Sequence, residues 1–436
     1  MEQSGQTICA LATPAGDGAV GMIRISGPGA LALIRRLCRG ARLTPRTMQP
    51  LTLRLDGEAL DRALVCFMPA PRSYTGEDVV EVHGHGGGLN MERLLAAVVS
   101  LGARLAQPGE FTRRAFLSGR LDLSQAEAVE QIIVARSARA LKNAQQILDG
   151  ALGRRLAAIR AQLVRQAAAL EAVVDFVDDV DAAALDAQAV GRELTQAGAA
   201  LWELAESYQQ GRRVDGARVA LVGPVNAGKS SLFNRLIGAP RALVSEEPGT
   251  TRDYLEAAVS WGGHRIVLVD TAGARGQGEG THIERAGQEL ARPVIEQCDL
   301  VLHVFDVATQ AAPRPLEGLV VANKVDLAPA PPRGVIATSA LDGTGIEQLR
   351  RRVVEQLFTD HGAAETVMVT RRRQWEALCR AARAVDEARE ALSTGVPPEL
   401  VAEHLRVALG AVGEVTGERF TEEVLDAVFS SFCIGK

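Results

Sequence analysis

Residues 223–230 read Gly-Pro-Val-Asn-Ala-Gly-Lys-Ser, and this motif constrains the fold more than any other feature of the chain. An apolar run precedes it at 218–222, and a helix-compatible stretch follows at 231–237. A glycine-rich loop between a strand and a helix lets backbone N–H groups surround phosphate oxygens, and the helix N-terminus adds the positive end of its dipole. The motif therefore predicts a phosphate-binding loop in an α/β unit, in which Lys229 reaches the phosphates and Ser230 holds Mg²⁺.

Length and composition exclude several classes of protein. The chain has 436 residues, of which 47% are hydrophobic and 23% charged, so two to three globular domains are expected. No apolar run approaches the ~20 residues of a membrane span, and no signal-peptide pattern opens the chain, so we predict a cytoplasmic protein without membrane contact. The six cysteines stand singly, which argues against a zinc site or disulfide framework. The net charge of -5 argues against a generally basic nucleic-acid surface, although local patches can still bind phosphate.

The N-terminal segment, residues 1–118, mixes strand and helix signals, and this mixture favours an α/β domain. A helix is expected at Leu89–Leu101, after a glycine-rich turn. Strands are expected at Thr7–Ala12, Val20–Ile25, Ala63–Met68 and Val79–Val82.

Two further segments have a helical texture. In residues 119–211, apolar side chains recur at helical spacing from Leu141 to Val177, which predicts one long helix, and a second run carries Leu194 to Tyr208. The texture returns in residues 364–436, where helices are expected at Trp375–Leu392, Glu399–Val415 and Glu422–Phe429.

Between these helical segments, residues 212–363 alternate apolar strands with helical stretches, which implies a mostly parallel sheet with covering helices. Strands are expected at Arg218–Val222, Arg265–Asp270, Val301–Asp306, Leu319–Asn323 and Val335–Thr338. The predicted fold class is multidomain α/β plus all-α. A P-loop domain is inserted into a helical domain, and an N-terminal α/β domain precedes both.

Motifs after the later strands indicate the base of the nucleotide. In Asn323-Lys-Val-Asp326, a carboxylate can accept from N1–H and the exocyclic amine of guanine, a pair of donors that adenine lacks. The backbone of residues 338–340 could contact the guanine carbonyl. In Asp270-Thr-Ala-Gly273, the carboxylate would reach Mg²⁺ through water and the glycine N–H would meet the γ-phosphate. Together with the P-loop, these motifs are typical of a P-loop GTPase.

Two features concern the mechanism of hydrolysis. Ala274 occupies the position at which Ras-like enzymes place a water-orienting glutamine, so another group must orient the water. Asn226 could bind a monovalent cation beside the phosphates and offset charge that develops there, or it could simply stabilise the loop. The stretch 249–253, Gly-Thr-Thr-Arg-Asp, is a candidate switch segment.

Further motifs resemble one family over essentially the whole chain: the tRNA-modifying GTPases called MnmE or TrmE. The matching segments are Thr13-Pro14, 21–27, 73–77, 81–87, 108–113, 119–127 and the ending Phe432-Cys-Ile-Gly-Lys436. The resemblance implies a folate-binding N-terminal domain that dimerises, a helical domain completed by the C-terminus, and an inserted G domain. It also implies that the protein modifies C5 of the tRNA wobble uridine to an aminomethyl or carboxymethylaminomethyl form. The flavin-dependent MnmG (GidA) would be the partner, in a heterotetramer or larger complex.

The resemblance also implies roles for individual residues. Potassium would be held by Asn226, Ser245, Glu247 and Thr250, and Mg²⁺ by Ser230 and Thr251. Glu279 would orient water, with Asn226 and Lys229 assisting hydrolysis, which would accompany G-domain dimerisation. A tetrahydrofolate derivative (5-formyl or methylene) would be bound by Arg24, Glu81, Arg120 and Lys436, and Cys433 is a possible tail thiol.

The full set of residues expected to bind GTP comprises the P-loop, the switch segment and the three later motifs. It consists of Gly223, Asn226, Ala227, Gly228, Lys229, Ser230, Ser231, Ser245, Glu246, Glu247, Pro248, Gly249, Thr250, Thr251, Asp270, Thr271, Ala272, Gly273, Asn323, Lys324, Asp326, Ser339 and Ala340.

Two other functions are compatible with parts of the sequence. A regulatory switch GTPase acting in ribosome assembly would share the P-loop and switch motifs, but it would lack the N-terminal domain and the C-terminal ending. A folate enzyme with an accessory GTPase would need a complete catalytic set within residues 1–118, and the sequence shows none.

Overall fold

The computed structural model describes residues 5–14, 16–175, 186–214, 216–238, 255–270, 298–313, 317–327, 334–358 and 367–436. The chain forms two compact units. The first comprises Met1–Glu130, Ile147–Arg160 and Leu409–Lys436, and the second comprises Gln131–Gln146 and Ala161–Ala408. These units group residues by contact, so the domain boundaries at 118, 211 and 363 stay a prediction.

The first unit is built on a six-stranded sheet with the order β3-β4-β5-β2-β1-β6. Only the β1–β6 pair is parallel, and the other neighbours are antiparallel. The strands are β1 (Ile8–Leu11), β2 (Val20–Ser26), β3 (Gln49–Leu55), β4 (Glu58–Met68), β5 (Val79–His85) and β6 (Arg104–Leu105). The four predicted strands are confirmed, whereas β3 and the two-residue β6 were not predicted.

Helices α1 (Ala30–Leu37) and α2 (Gly88–Ser100) supply apolar side chains to the core of this sheet. In α1 the buried residues Leu33, Ile34 and Leu37 recur at helical spacing, so one stripe of the helix leaves water. The stripe packs with alternate residues of β2 and β5, such as Ile23 and Val80. Helix α2 is confirmed within one residue of the predicted bounds, and α1 was not predicted.

The C-terminal segment belongs to the same unit. Helices α3 (Glu110–Leu117), α4 (Leu123–Val134) and α12 (Glu422–Ser430) contribute to one apolar cluster. Its buried members are Phe116, Leu123, Ala126, Leu425, Phe429 and Phe432. The backbone N–H of Phe111 donates to the carbonyl of Lys436 at 3.2 Å. The Gly435 carbonyl accepts from Arg24 of β2 at 3.2 Å, so the last residues of the chain lie against the N-terminal sheet as well as α3.

The predicted single helix from Leu141 to Val177 is wrong. The structure has two helices, α5 (Ala138–Leu148) and α6 (Ala151–Asp175), and Val177 lies outside the described residues. The chain turns at Asp149 and Gly150, where the Gly150 N–H donates to the Ile147 carbonyl at 2.9 Å. The apolar spacing continues across this turn, so periodicity alone did not reveal it.

The other helices of the second unit agree with the predicted positions. Helices α7 (Ala187–Gly211) and α10 (Arg372–Ser393) pack along each other, and Trp202 Nε1 donates to Asp386 Oδ2 at 2.9 Å. Helix α11 (Pro398–Thr416) follows them in the chain and continues into the first unit. No helix among the described residues combines the length and apolar character that a bilayer crossing requires.

The second unit also holds a six-stranded sheet with the order β12-β11-β10-β7-β9-β8. All neighbours run parallel except β8 and β9, so the carboxyl ends of the five parallel strands meet at one edge. The strands are β7 (Ala217–Val222), β8 (Leu255–Trp261), β9 (His264–Asp270), β10 (Leu300–Asp306), β11 (Leu319–Asn323) and β12 (Ile336–Ala337). Helices α8 (Lys229–Ile237) and α9 (Ile346–Leu357) pack on the sheet. The five parallel strands were predicted, and β8 was not.

Gly417, directly after α11, provides a test of packing in the first unit. Its φ is +83°, and a Cβ there would lie 2.7 Å from a Phe116 ring carbon. We expect Gly417→Ala to lower the free energy of unfolding by about 2–4 kcal/mol, because a left-handed backbone and an overfilled core both cost stability.

Gly119→Ala is the matched control, since Gly119 has φ +71° but no atom within 4 Å of an added Cβ. Backbone strain alone predicts a loss of about 1–2 kcal/mol. Hydrogen exchange of peptides from α3 and α12, followed in the full chain, measures the loss of stability in both variants. Equal losses in the two variants would show that Phe116 does not crowd position 417.

Candidate functional site

The P-loop connects β7 to α8 at the carboxyl edge of the second sheet. Gly228, the last loop residue before α8, has φ +82°, and a Cβ there would lie 2.3 Å from Asn323 Nδ2. Only glycine allows that approach. Asn226 has φ +64° and is exposed, while Ser230 and Ser231 are exposed in the first turn of α8. The loop therefore presents polar groups and a helix N-terminus at its outer surface.

Asn323 ties this loop to two other segments. Its Nδ2 donates to the carbonyls of Ala227 at 3.0 Å and Gly228 at 3.4 Å. Its Oδ1 accepts from the Ala340 N–H at 3.3 Å. Asn323 is only 1% exposed, so water cannot replace these bonds. The P-loop, the end of β11 and the segment after β12 thus form one site. We call these three hydrogen bonds of Asn323 the Asn323 clamp.

Charged side chains extend the same site. Lys324 Nζ donates to Asp306 Oδ2 at 2.8 Å, and this bond is the main cause that holds the pKa of Asp306 below its usual value. Gln310 accepts from the Asp306 N–H at 2.8 Å and donates to the Val225 carbonyl at 3.1 Å. This bridge joins the end of β10 to the P-loop beside Asn226.

Lys229 lies across the phosphate-binding loop. Its Nζ donates to the carbonyls of Gly223 and Pro224, each at 2.8 Å. These bonds hold a positive charge over the loop, where it can attract phosphate oxygens.

The remaining predicted nucleotide residues have different placements. Asp270 is fully buried at the end of β9, and Asp326 is exposed in a 3-10 turn at Val325–Leu327. Ser339 is buried, and the Ala340 N–H donates to Asn323, within the segment 338–340 whose backbone is expected near the guanine carbonyl. The predicted residues Ser245, Glu246, Glu247, Pro248, Gly249, Thr250, Thr251, Thr271, Ala272, Gly273 and Glu279 lie outside the described residues.

A second polar site lies in the first unit. Arg24 is 9% exposed, and its Nε and Nη2 both donate to Glu81 Oε1, at 3.0 Å and 2.9 Å. Its Nη1 donates to the Gly435 carbonyl at 3.2 Å. The guanidinium also lies 5.2 Å from the ring centroid of Tyr74 and 5.8 Å from that of Phe111, within the range of a cation–π interaction.

Lys436 completes this site. Burial lowers the pKa of its ammonium group, and the positive charge of Arg24 acts in the same direction. Glu81 opposes this effect, but two cations share that one carboxylate. A bound anion would offset both effects and stabilise the ammonium form of Lys436.

The structure does not bring Arg120 into contact with this group. Among the described residues, its side chain makes no hydrogen bond or ion pair with Arg24, Glu81 or Lys436. Arg120 is exposed and lines a cavity of about 570 Å³. The other charged or aromatic residues around that cavity are Phe116, Asp122, Arg160, Glu418 and Phe420. Cys433 is exposed beside the tail.

Comparison with known proteins identifies the family. The model described as "MnmE helical domain" matches residues 123–433, and "GTP-binding protein TrmE N-terminus" matches residues 7–120. The chain belongs to the MnmE family. A protein of Roseiflexus castenholzii called "tRNA modification GTPase MnmE" is 41% identical over 99% of both chains. One of the same name from Nitratidesulfovibrio vulgaris is 42% identical over the full length of both.

Among solved structures, the G domain of the Thermotoga maritima FeoB iron transporter is 26% identical. The match covers 32% of this chain and 98% of the FeoB domain, with a TM-score of 0.25. Membership of the MnmE family confirms the predicted assignment to P-loop GTPases. The multidomain fold class, with its α/β sheets and helical segments, is also confirmed.

Sequence reasoning missed two residues of the nucleotide site. Asp306 ends a predicted strand at the same sheet edge as the P-loop, and that position was a usable signal. Gln310 has no such signal, because its contact with Val225 depends on how the loop after β10 folds back.

Asn323 generates a direct test of this site. We expect Asn323→Ala to weaken GDP binding roughly 10- to 100-fold, because the carbonyl of Ala227 and the N–H of Ala340 lose a buried partner. Isothermal titration calorimetry with GDP measures this change. Asn323→Asp keeps the acceptor for Ala340 but loses the donor, so an intermediate affinity is expected.

Asn234→Ala serves as the matched control, since Asn234 is exposed on α8. Unchanged GDP affinity in Asn323→Ala would mean that the clamp does not organise the nucleotide site.

Proposed function

We propose that this chain hydrolyses GTP with Mg²⁺ and uses hydrolysis in the modification of tRNA at C5 of the wobble uridine. The observation that carries the GTPase part is the Asn323 clamp, which joins the phosphate loop to the two segments expected to recognise guanine. The tRNA part is supported by relatives named tRNA modification GTPases that align over essentially the whole chain. The product would be an aminomethyl or carboxymethylaminomethyl group.

Guanine recognition would rest on Asp326. Its carboxylate is exposed directly after β11, where two donors of guanine can reach it. Lys324 would lie along the nucleotide, held by Asp306 at 2.8 Å. Ser230, at the first turn of α8, supplies a hydroxyl for Mg²⁺, and Thr251 would supply another.

Hydrolysis would require potassium. Asn226 supports this proposal, because its exposed amide lies in the loop that carries the phosphates. Ser245, Glu247 and Thr250 would complete the ion's ligands, and Glu279 would orient water. The cation would offset the charge that develops between the β- and γ-phosphates, and two G domains would associate during the reaction.

A tetrahydrofolate derivative would bind at Arg24, Glu81 and Lys436. Glu81 can accept from the N–H groups of a pterin ring, and the ammonium group of Lys436 can hold a glutamyl carboxylate. When bound, the folate would supply the one-carbon unit. The chain's own residues would bind and orient it and keep its carboxylate paired. Arg120 would have to approach from the side of the 570 Å³ cavity.

Partners would complete the reaction. As the family resemblance implies, a flavin-dependent protein such as MnmG would carry out the redox step. We also propose a homodimer through the N-terminal domain and a cytoplasmic location. The contact between Arg24 and the tail does not favour the alternative of a ribosome-assembly switch, which needs no such site.

Potassium dependence is the first test. GTP hydrolysis should be roughly 10- to 100-fold faster in potassium than in sodium, because sodium is too small for the same ligands to offset charge equally well. Asn226→Ala should remove most of this difference, and Val225→Ala, which changes an exposed neighbour, should preserve it. Equal wild-type rates in the two salts would reject the cation role.

Removal of the tail tests the folate site. Phe432 is buried in the apolar cluster, so truncation after Phe432 keeps that packing and removes only residues 433–436. Wobble-uridine modification should fall by about 100-fold, because the folate loses a positioning group, while GTP hydrolysis persists. Nucleoside analysis of tRNA from a strain that carries the truncated protein measures the modification.

Cys433→Ser is the matched variant for this truncation. Full modification is expected, because the exposed thiol is not needed to place Lys436. Loss of modification in Cys433→Ser would move the thiol into the chemistry, and full modification after truncation would end the role of Lys436.

A further inference from the structure

A run of arginines without nearby acidic residues stands out in the first unit. Residues 18–55 contain seven arginines and no Asp or Glu, although the whole chain has a net charge of -5. Arg24 is committed to Glu81, and Arg54 donates to the Gly57 carbonyl at 3.1 Å. We call the other five together with Arg72 the arginine surface. Its members are Arg35, Arg36, Arg39, Arg42, Arg46 and Arg72, and all six are exposed.

The fold holds these arginines close together. In α1 the apolar stripe is buried, so Arg35 and Arg36 point away from the core. The following loop is pinned at its start, where the Gly40 N–H donates to the Arg35 carbonyl at 2.7 Å. The middle of this loop is fixed by Gln49, whose side chain donates to the Arg42 carbonyl at 3.3 Å.

The end of the loop is pinned to the sheet. The Arg46 N–H donates to the Phe67 carbonyl at 2.7 Å, and the Arg46 guanidinium donates to the Arg72 carbonyl. Arg72 is therefore brought beside Arg46, although 26 positions separate them in the chain.

Ordinary structural roles do not account for this charge. Cations at a helix C-terminus offset its dipole, which explains Arg35 and Arg36 but not the loop residues. Among the described residues, the side chains of Arg35, Arg39 and Arg42 make no ion pair or hydrogen bond. Other arginines of this unit are neutralised, as in the pair Arg104–Glu110 at 2.6 Å.

One end of the arginine surface lies near the folate site. Arg46 is bonded to Phe67 in β4, whose neighbour Cys66 is the cross-strand partner of Glu81 in β5. Helix α1 packs on the other face of this sheet, with Ile23 and Val80. A polyanion held on the surface would therefore reach Glu81 and Arg24 by passing round the sheet at Arg46.

We propose that the arginine surface binds the phosphate backbone of the RNA substrate and guides one nucleoside toward Arg24, Glu81 and Lys436. This inference rests on the proposed function in tRNA modification. Arginine suits phosphate, because its planar fork can donate two parallel hydrogen bonds to the oxygens. An acidic protein partner is the competing occupant, and the experiment separates the two.

The test uses the full chain and an unmodified tRNA transcript. The triple variant Arg35→Gln, Arg39→Gln, Arg42→Gln should bind the transcript roughly tenfold more weakly near physiological salt. The slope of log affinity against log salt should become shallower by roughly 2. The variant makes fewer phosphate contacts, so its binding releases fewer counterions from the RNA. Fluorescence anisotropy over a salt series measures both quantities, and the GTP hydrolysis rate confirms that the variant is folded.

The matched control removes the same charge elsewhere. Arg352→Gln, Arg383→Gln, Arg389→Gln changes three exposed arginines of the second unit and should leave the salt slope unchanged. The variant Arg35→Lys, Arg39→Lys, Arg42→Lys should keep the wild-type salt slope, because it keeps the positive charge.

Equal effects of the two triple variants would overturn the proposal, since the effect would then come from net charge. Unchanged RNA affinity with lost modification would assign the surface to an acidic protein and also overturn it. If the wild-type chain does not bind the transcript at low salt, the proposal fails. Nucleoside analysis of the wobble position would still decide the proposed function independently.

Discussion

The buried amide of Asn323 holds three segments that lie up to about a hundred positions apart. Without it, the Ala227 carbonyl and the Ala340 N–H would lose a hydrogen-bond partner, which costs about 1–3 kcal/mol per buried group. The Gly228 carbonyl also accepts from the Leu232 N–H at 2.8 Å. The amide has one donor side and one acceptor side, and both are used, so neither Asp nor Leu could replace it. The position of the P-loop relative to Lys324, Asp306 and Asp326 follows from this one group.

Arg24 joins distant segments of the first unit, as Asn323 does in the second, but it does so with a charged side chain. A guanidinium that is 9% exposed needs its donors satisfied, and Glu81 and the Gly435 carbonyl satisfy them from opposite ends of the chain. The C-terminal tail is therefore held in place by a hydrogen bond that a buried arginine of β2 needs. The same geometry places Lys436 near Arg24, so a bound anion would stabilise the ammonium form of Lys436.

The sequence predicted the elements and site residues correctly where the local residue pattern agrees with the fold. Motifs at strand ends were predictable, because parallel strands carry their loops to one edge, and the motifs that contain Lys229 and Asn323 follow β7 and β11 there. The turn between α5 and α6 was not, since apolar spacing continues across it. Strand β8 depends on pairing with β9, and the place of Arg120 at a cavity depends on helices distant in sequence. Such tertiary contacts produce no periodic pattern in the amino-acid sequence.

The bond between Arg24 and the Gly435 carbonyl spans 411 positions. At a synthesis rate of about 5–20 residues per second, its two ends emerge roughly 20 to 80 seconds apart. The N-terminal sheet can fold early, and so can the G domain, but the Arg24 site cannot close until the tail has left the ribosome. A chain cut short at any point before Gly435 would lack this contact, even with the whole P-loop sheet in place. Synthesis therefore completes the Arg24 site last, long after the P-loop has formed.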